Sequence, residues 1–258
     1  MTRTQASPVR SWTASTSVLS LRNVDVHRGE AHVLRDVSFE MPPNAVTALL
    51  GRNGAGKTTT LLAVVGLLAA TGRMSMAGTD LKPLKVDERV RQGIGYVPED
   101  REVFADLTVA ENLRLAMRGP ESQARLQQVH KLFPILHERA QQRAGTLSGG
   151  QQQMIAIARA LLNDNKILLI DEPSKGLAPA VVTEVVQAIE QVKATTTILL
   201  VEQNLAVAAR LADHALVLDQ GRLVYSGPME DFARDTEATS RWLGVDIRPK
   251  AVGGRGNE

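Results

Sequence analysis

Cysteine is absent from the 258 residues. That excludes disulfides and thiolate metal sites, and it permits a reducing compartment without requiring one. Aromatic residues make up only 3%, which leaves few rings for stacking unpaired bases. Neither sign of charge is in surplus: the formal balance is +2, too weak a field to draw the chain to nucleic acid. No nucleic acid is expected among the partners. Long apolar runs are also missing. The longest near the glycine-rich region, Leu61 to Ala70, is too short to cross a bilayer. The chain is therefore expected to be soluble, and any passage through a membrane must be carried by other chains. Residues 1–17 hold Ser, Thr and Arg around a lone Trp12; without a continuous apolar segment they form no signal peptide and are expected to be a disordered extension. Residues 245–258, rich in Gly and charge, are expected to fray. Aliphatic residues, by contrast, are plentiful. With 43% hydrophobic content, residues 18–244 can fill one large domain or a core with a subdomain.

That apolar material is organised around Gly51-Arg52-Asn53-Gly54-Ala55-Gly56-Lys57-Thr58, which fits the pattern G-x-x-x-x-G-K-[ST]. Val46 to Leu50 before it predicts a buried strand, and Thr59 to Leu68 after it predicts a helix. A strand, a glycine turn and a helix start aim several backbone N–H groups at one point, where the helix dipole adds positive charge. Lys57 supplies a full charge, and the Thr58 hydroxyl suits Mg²⁺. The ligand so described is a nucleoside triphosphate, held by residues 51–58 with Thr59 at the helix start.

Before this loop, Leu19 to Val26 and Val33 to Met41 alternate imperfectly around the break at Arg28-Gly29-Glu30, which predicts a hairpin. Arg73 to Ala77, bracketed by Gly72 and Gly78, predicts a short strand able to join it. After the loop, Ile94 to Val97 predicts a strand leaving through Pro98, which puts Glu99 at a carboxyl end, where parallel sheets bind ligands. Residues 105–145 show helical periodicity in Val109 to Met117 and Ser122 to Leu136, with Pro134 disturbing the second. They predict a helical insertion, which taken with its flanks spans about 100–160. Ser148 caps a further helix at Gln152 to Leu162, and the glycines beside it allow either an ordinary capped start or a second anion site.

Ile167 to Ile170 runs directly into Asp171-Glu172-Pro173. Two acids at a strand's carboxyl end lie beside the phosphate loop if the two strands are neighbours. Asp171 would then share Mg²⁺ with Thr58, and Glu172 would take a proton from an attacking water. Thr196 to Val201 predicts a last core strand ending in Glu202-Gln203-Asn204, and Ala215 to Tyr225 a closing hairpin.

Taken together, Gly51–Thr58, Leu147-Ser148-Gly149-Gly150-Gln151 and Ile167–Glu172, in that order, resemble the nucleotide-binding subunits of ATP-binding cassette (ABC) transporters. The resemblance covers roughly residues 18–244. It implies an α/β fold: a P-loop NTPase core with an antiparallel β-subdomain and an inserted α-helical subdomain. It also implies that two such subunits, identical or paralogous, sandwich two ATP molecules, each held by one P-loop and the partner's Ser148–Gln151 segment. Tyr96-Val97-Pro98-Glu99, Asp171-Glu172-Pro173-Ser174 with Gly176-Leu177-Ala178-Pro179, and Leu200-Val201-Glu202-Gln203-Asn204 look like the subunits serving uptake of branched-chain amino acids and of related amides and urea.

The family pattern is broken at four positions. Glu99 stands where the family has a glutamine, and a carboxylate can still ligate Mg²⁺. Gln203 stands for the usual histidine; its amide can hydrogen-bond the γ-phosphate but cannot titrate near neutral pH. Ala178 stands for an aspartate. The adenine-stacking aromatic is replaced by Arg28, with His27 as the alternative if the turn shifts by one residue; a guanidinium can stack on a base. What the resemblance implies is an ATPase with Glu172 as base, Lys57 and Gln203 at the phosphoryl charge, and Thr58, Glu99 and Asp171 around Mg²⁺. The implied partners are transmembrane permease subunits at the cytoplasmic face of the inner membrane and, indirectly, a solute-binding protein. A soluble cassette acting on ribosomes or DNA and a binding-only regulator are the competing classes. A single P-loop and no long heptad run speak against the first, and steady-state phosphate release separates the second.

Overall fold

The computed structural model describes residues 17–244, so the expectations for residues 1–16 and 245–258 lie outside the described residues. Two sheets organise the fold. In the first, β1 (Leu19–Arg28) and β2 (Ala31–Met41) form the expected hairpin, β4 (Thr71–Met76) pairs with the other edge of β1, and β5 (Thr79–Asp80) closes the order β2-β1-β4-β5. The register Leu19↔Met41, Leu21↔Phe39 and Val24↔Val37 puts the alternate apolar residues on one buried face.

The second sheet comprises β3 (Val46–Leu50), β6 (Ile94–Val97), β7 (Ile167–Asp171), β8 (Thr197–Val201), β9 (His214–Asp219) and β10 (Arg222–Pro228), in the order β10-β9-β3-β8-β7-β6. Only β10 runs against its neighbour. The reason for the unbroken aliphatic runs is that this sheet is covered on both faces. Leu168, Ile170, Ile198 and Leu200 point into one core, while Ile167, Leu169, Leu199 and Val201 point into the other.

Four helices lie between β6 and β7: α3 (Val109–Ala116), α4 (Glu121–Leu132), α5 (Pro134–Glu138) and α6 (Gly149–Leu161). Val109, Leu113, Phe133, Leu136, Met154 and Ile157 bury their apolar faces together against β7 and β8. The helix expected from Ser122 to Leu136 is two helices, because Pro134 cannot continue the first and opens the second. The remaining helices are α1 (Lys57–Val65), α2 (Val86–Arg91), α7 (Pro179–Val192), α8 (Leu205–Leu211), α9 (Met229–Arg234) and α10 (Thr236–Leu243). Helix α1 stops at Val65, short of the expected Leu68, because Gly66 takes the left-handed conformation and donates back to Leu62 and Ala63. Arg89 of α2 caps the same end, its guanidinium donating to the carbonyls of Ala63 and Val64 at 2.8 and 2.9 Å. No helix among the described residues is long and apolar enough to cross a membrane.

One topological condition is not met. The strands that carry the phosphate loop and Asp171 are not neighbours: β8 lies between β3 and β7. The carboxyl ends of all three still open on the same side, since β3 pairs with β8, and β8 with β7, in parallel register.

Candidate active site

The loop after β3 is shaped by where a side chain would not fit. A Cβ on Gly51 would lie 2.3 Å from the Leu218 carbonyl oxygen, and one on Gly56 would lie 2.5 Å from Leu34 Cδ2; both residues have positive φ, 146° and 107°. The loop is thus wedged between β9 and β2, and its Ala55 carbonyl accepts the Gly221 N–H at 3.1 Å. Gly56 opens α1 without a side-chain cap, and no acid stands in the first turn. The free N–H groups of the helix start, beside exposed Arg52, Asn53 and Gly54, are an anion cradle. Thr58 is half-buried and Thr59 buried in that turn.

Lys57 folds back under the loop. Its Nζ donates to the Gly51 carbonyl at 2.9 Å and to the Arg52 carbonyl at 3.2 Å, and it stands 3.7 Å from Glu172 Oε1. Burial lowers its pKa, against the pull of Glu172 and Asp171.

Glu172 leaves β7 in the left-handed region, φ 45°, an uncommon conformation for a residue with a Cβ. The twist is held by its N–H donating to the Val201 carbonyl at 2.9 Å. Its Oε1 also accepts Gln203 Nε2 at 2.6 Å. So β8, interposed between the two motif strands, delivers the amide that orients the acid. Glu202, buried beside it, accepts the backbone N–H groups of Ser174, Gln203 and Asn204 and fixes the turns on both sides; burial raises its pKa despite those bonds.

Asp171 is fully buried at the end of β7, and neither carboxylate oxygen has a hydrogen-bond partner. Burial, with Glu172 and Glu99 nearby, pushes its pKa up to about 6, although the Thr58 hydroxyl and Lys57 favour the charged form. An acid orphaned in this way, with a threonine hydroxyl close by, fits a hard divalent cation. Glu99, the third donor expected around Mg²⁺, has a cation of its own in contact. It is ion-paired with Lys175, whose Nζ also lies 3.6 Å from Glu172 Oε2. No group of three or more His, Asp or Glu side chains suited to a metal occurs among the described residues. Lys175 is a functional candidate that sequence reading missed.

Ser148 is the N-cap of α6: its Oγ accepts the Gln151 N–H at 3.3 Å, and Gln151 Oε1 accepts the Ser148 N–H at 3.1 Å. Gly149 lies under the Arg101 guanidinium, which a Cβ would meet at 2.7 Å, and Gly150 lies against Val181. Helix α6 packs on α3, α4, α5, α7 and β6, whereas α1 packs on α2, β2 and β7. The Ser148–Gln151 segment and the phosphate loop thus stand on different layers of one chain. At the β1–β2 turn His27 and Arg28 are exposed. The His27 ring is stacked on His32 at 4.1 Å, and His32 in turn bonds Asp25 at 2.7 Å.

Compared with known proteins, residues 34–175 match the family model described as ABC transporter. The high-affinity branched-chain amino acid transport ATP-binding protein BraG of Pseudomonas aeruginosa is 45% identical over 214 residues, 80% of this chain and 91% of that protein. The probable branched-chain amino acid transport ATP-binding protein LivF of Archaeoglobus fulgidus is 34% identical, covering 87% of this chain and 99% of its own. A solved ATP-binding cassette of an ABC transporter, in its ADP conformation, superposes with a TM-score of 0.78 at 25% identity, covering 89% of this chain and 99% of that one.

Proposed function

The chain belongs to the ABC transporter family, and on that premise we propose that it is the ATP-hydrolysing subunit of an importer for branched-chain amino acids or a related small polar solute. It works as a dimer at the cytoplasmic face of the inner membrane, beneath permease subunits that a solute-binding protein supplies. The observation that carries the reading is the convergence of Lys57 and Gln203 within 3.7 Å of one Glu172 carboxylate oxygen, at the mouth of the anion cradle.

The cradle N–H groups and Lys57 hold the phosphates of ATP. Glu172, oriented by Gln203 and by its own backbone, takes the proton of the attacking water. Lys57 and the Gln203 amide meet the charge that develops on the phosphoryl group. Mg²⁺ would be held by Thr58 and Asp171; when bound, it neutralises phosphate charge. Permease helices dock in a groove of about 350 Å³ between the parallel sheet and the helical layer, lined by Val90, Tyr96, Pro98, Arg101 and the exposed apolar residues Leu67 and Leu115. A larger hollow of about 940 Å³ on the antiparallel sheet, around Arg22, Arg73 and Asp80, shares no residue with the phosphate loop and is given no part in the chemistry.

In proteoliposomes built from the membrane subunits that co-purify with the chain and given their solute-binding protein on the opposite side, ATP on the chain's side should drive accumulation of leucine or isoleucine. Normal ATP hydrolysis with no accumulation of either would reject the branched-chain assignment.

Adenine stacks on Arg28, because the His27 ring is already occupied by His32. A cation–π contact of about 0.5–2 kcal/mol corresponds to roughly 2- to 30-fold in affinity. By fluorescence titration, Arg28→Ala should raise the Kd for ATP within that range, Arg28→Tyr should preserve or tighten binding, and His27→Ala should change little. Equal affinities for all three variants would remove both side chains from the base.

A further inference from the structure

With Glu172 taken as the base, as in the proposed function, we propose that Lys175 is a positioning residue for hydrolysis: its ammonium ties the Glu99 loop to the Glu172 carboxylate, so that the loop bordering the docking groove and the base move together. Each oxygen of Glu172 faces its own lysine. Oε1 lies 3.7 Å from Lys57 Nζ and Oε2 lies 3.6 Å from Lys175 Nζ. Lys175 Nζ also ion-pairs with Glu99. Without it, Glu99 and Glu172 are two carboxylates facing each other across a gap, and their repulsion displaces one of them. The carboxylate held by the tight turn after β7 is the less free to move, so Glu99 and its loop swing out and Glu172 loses its second anchor.

Both ends of the link are fixed. The Lys175 N–H donates to the Glu172 carbonyl at 3.1 Å, and the Ser174 N–H donates to Glu202 Oε1 at 3.1 Å, so the backbone beneath Lys175 is pinned to β7 and β8. On the other side, Pro98 and Arg101, which flank Glu99 and Asp100, line the groove. Arg101 and Glu102 are both left-handed, φ 65° and 46°. Such a loop has little conformational slack and passes on a push instead of absorbing it. The carboxylate that holds Lys175 against the base thus comes from the segment that a docked helix touches.

Lys175 is 56% exposed, and an exposed ion pair contributes little to stability. That separates positioning from structural support. In steady-state phosphate release by the full chain with Mg²⁺ and ATP, Lys175→Met should lower kcat about tenfold and leave KM within about twofold. The thermal midpoint should stay within about 2 °C. Lys175→Arg should recover most of the kcat, since a guanidinium spans the same two carboxylates. In a Glu99→Gln background, Lys175→Met should cost no more than about threefold, because the partner of the link is already gone. An unchanged kcat, an equal factor in both backgrounds, or a kcat loss that tracks a fall in the thermal midpoint would each overturn the proposal. Glu172→Gln assayed in parallel separates the two levels. If it is inactive while Lys175→Met turns over normally, only the role of Lys175 falls. If it turns over normally, the base assignment falls and the role of Lys175 with it.

Discussion

Glu172→Gln should retain ATP and lose turnover by about 10²- to 10⁴-fold, the usual worth of a positioned general base. The substitution keeps size and keeps an oxygen able to accept Gln203 Nε2, now 2.6 Å from Oε1. What it removes is the proton acceptor and a negative charge that stands between Lys57 and Lys175. Loss of that charge leaves Lys57 facing the phosphates with less competition, so ATP affinity should be equal or higher. The ATP-bound dimer should become long-lived, because closure no longer ends in cleavage. Phosphate release and size-exclusion chromatography with and without ATP measure both effects. Wild-type turnover in this variant would sink the assignment of Glu172.

The parts of this site that were legible in the sequence are those fixed by local backbone physics. Gly51 and Gly56 announce a loop because any Cβ there would strike Leu218 or Leu34. Ser148 announces a helix start because Gln151 three residues on completes the capping box. The runs at β7 and β8 announce buried strands because both faces of their sheet are covered. Strand order was not legible: nothing in Val46 to Leu50 or Ile167 to Asp171 says that β8 comes between them. Nor was the link from Lys175 to Glu99, across 76 residues of sequence, since ion pairing at that separation depends wholly on the assembled fold. Helix α7 did leave a signal, Pro179 at its first position followed by Val185, Val186, Ala188 and Ile189 on one buried face. Reading 171–179 as a motif passes over it. Glu99 is read as a metal ligand from its family position alone, and nothing in the sequence announces the Lys175 ammonium beside it.

Mixing two inactive chains should restore activity if the sites are shared between subunits. Lys57→Ala removes the buried ammonium that ties together the Gly51 and Arg52 carbonyls, so that chain loses its own phosphate cradle while keeping Ser148. Ser148→Arg removes the cap of α6 and sets a cation at a helix start, where the dipole is already positive. Its phosphate loop stands on β3 and α1, in another layer, and should still bind ATP as a monomer. Each variant alone should show no turnover above background. In a mixed dimer, the intact loop of the Ser148→Arg chain faces the intact Ser148 of the Lys57→Ala chain, while the other site carries both lesions. A dimer purified as mixed has one sound site of two, so about half of the wild-type rate per dimer is expected for independently firing sites. The measurement is phosphate release from dimers purified through two different tags, one on each variant. No rescue in dimers verified as mixed would place each complete site within one chain and would remove Ser148 to Gln151 from the partner's nucleotide.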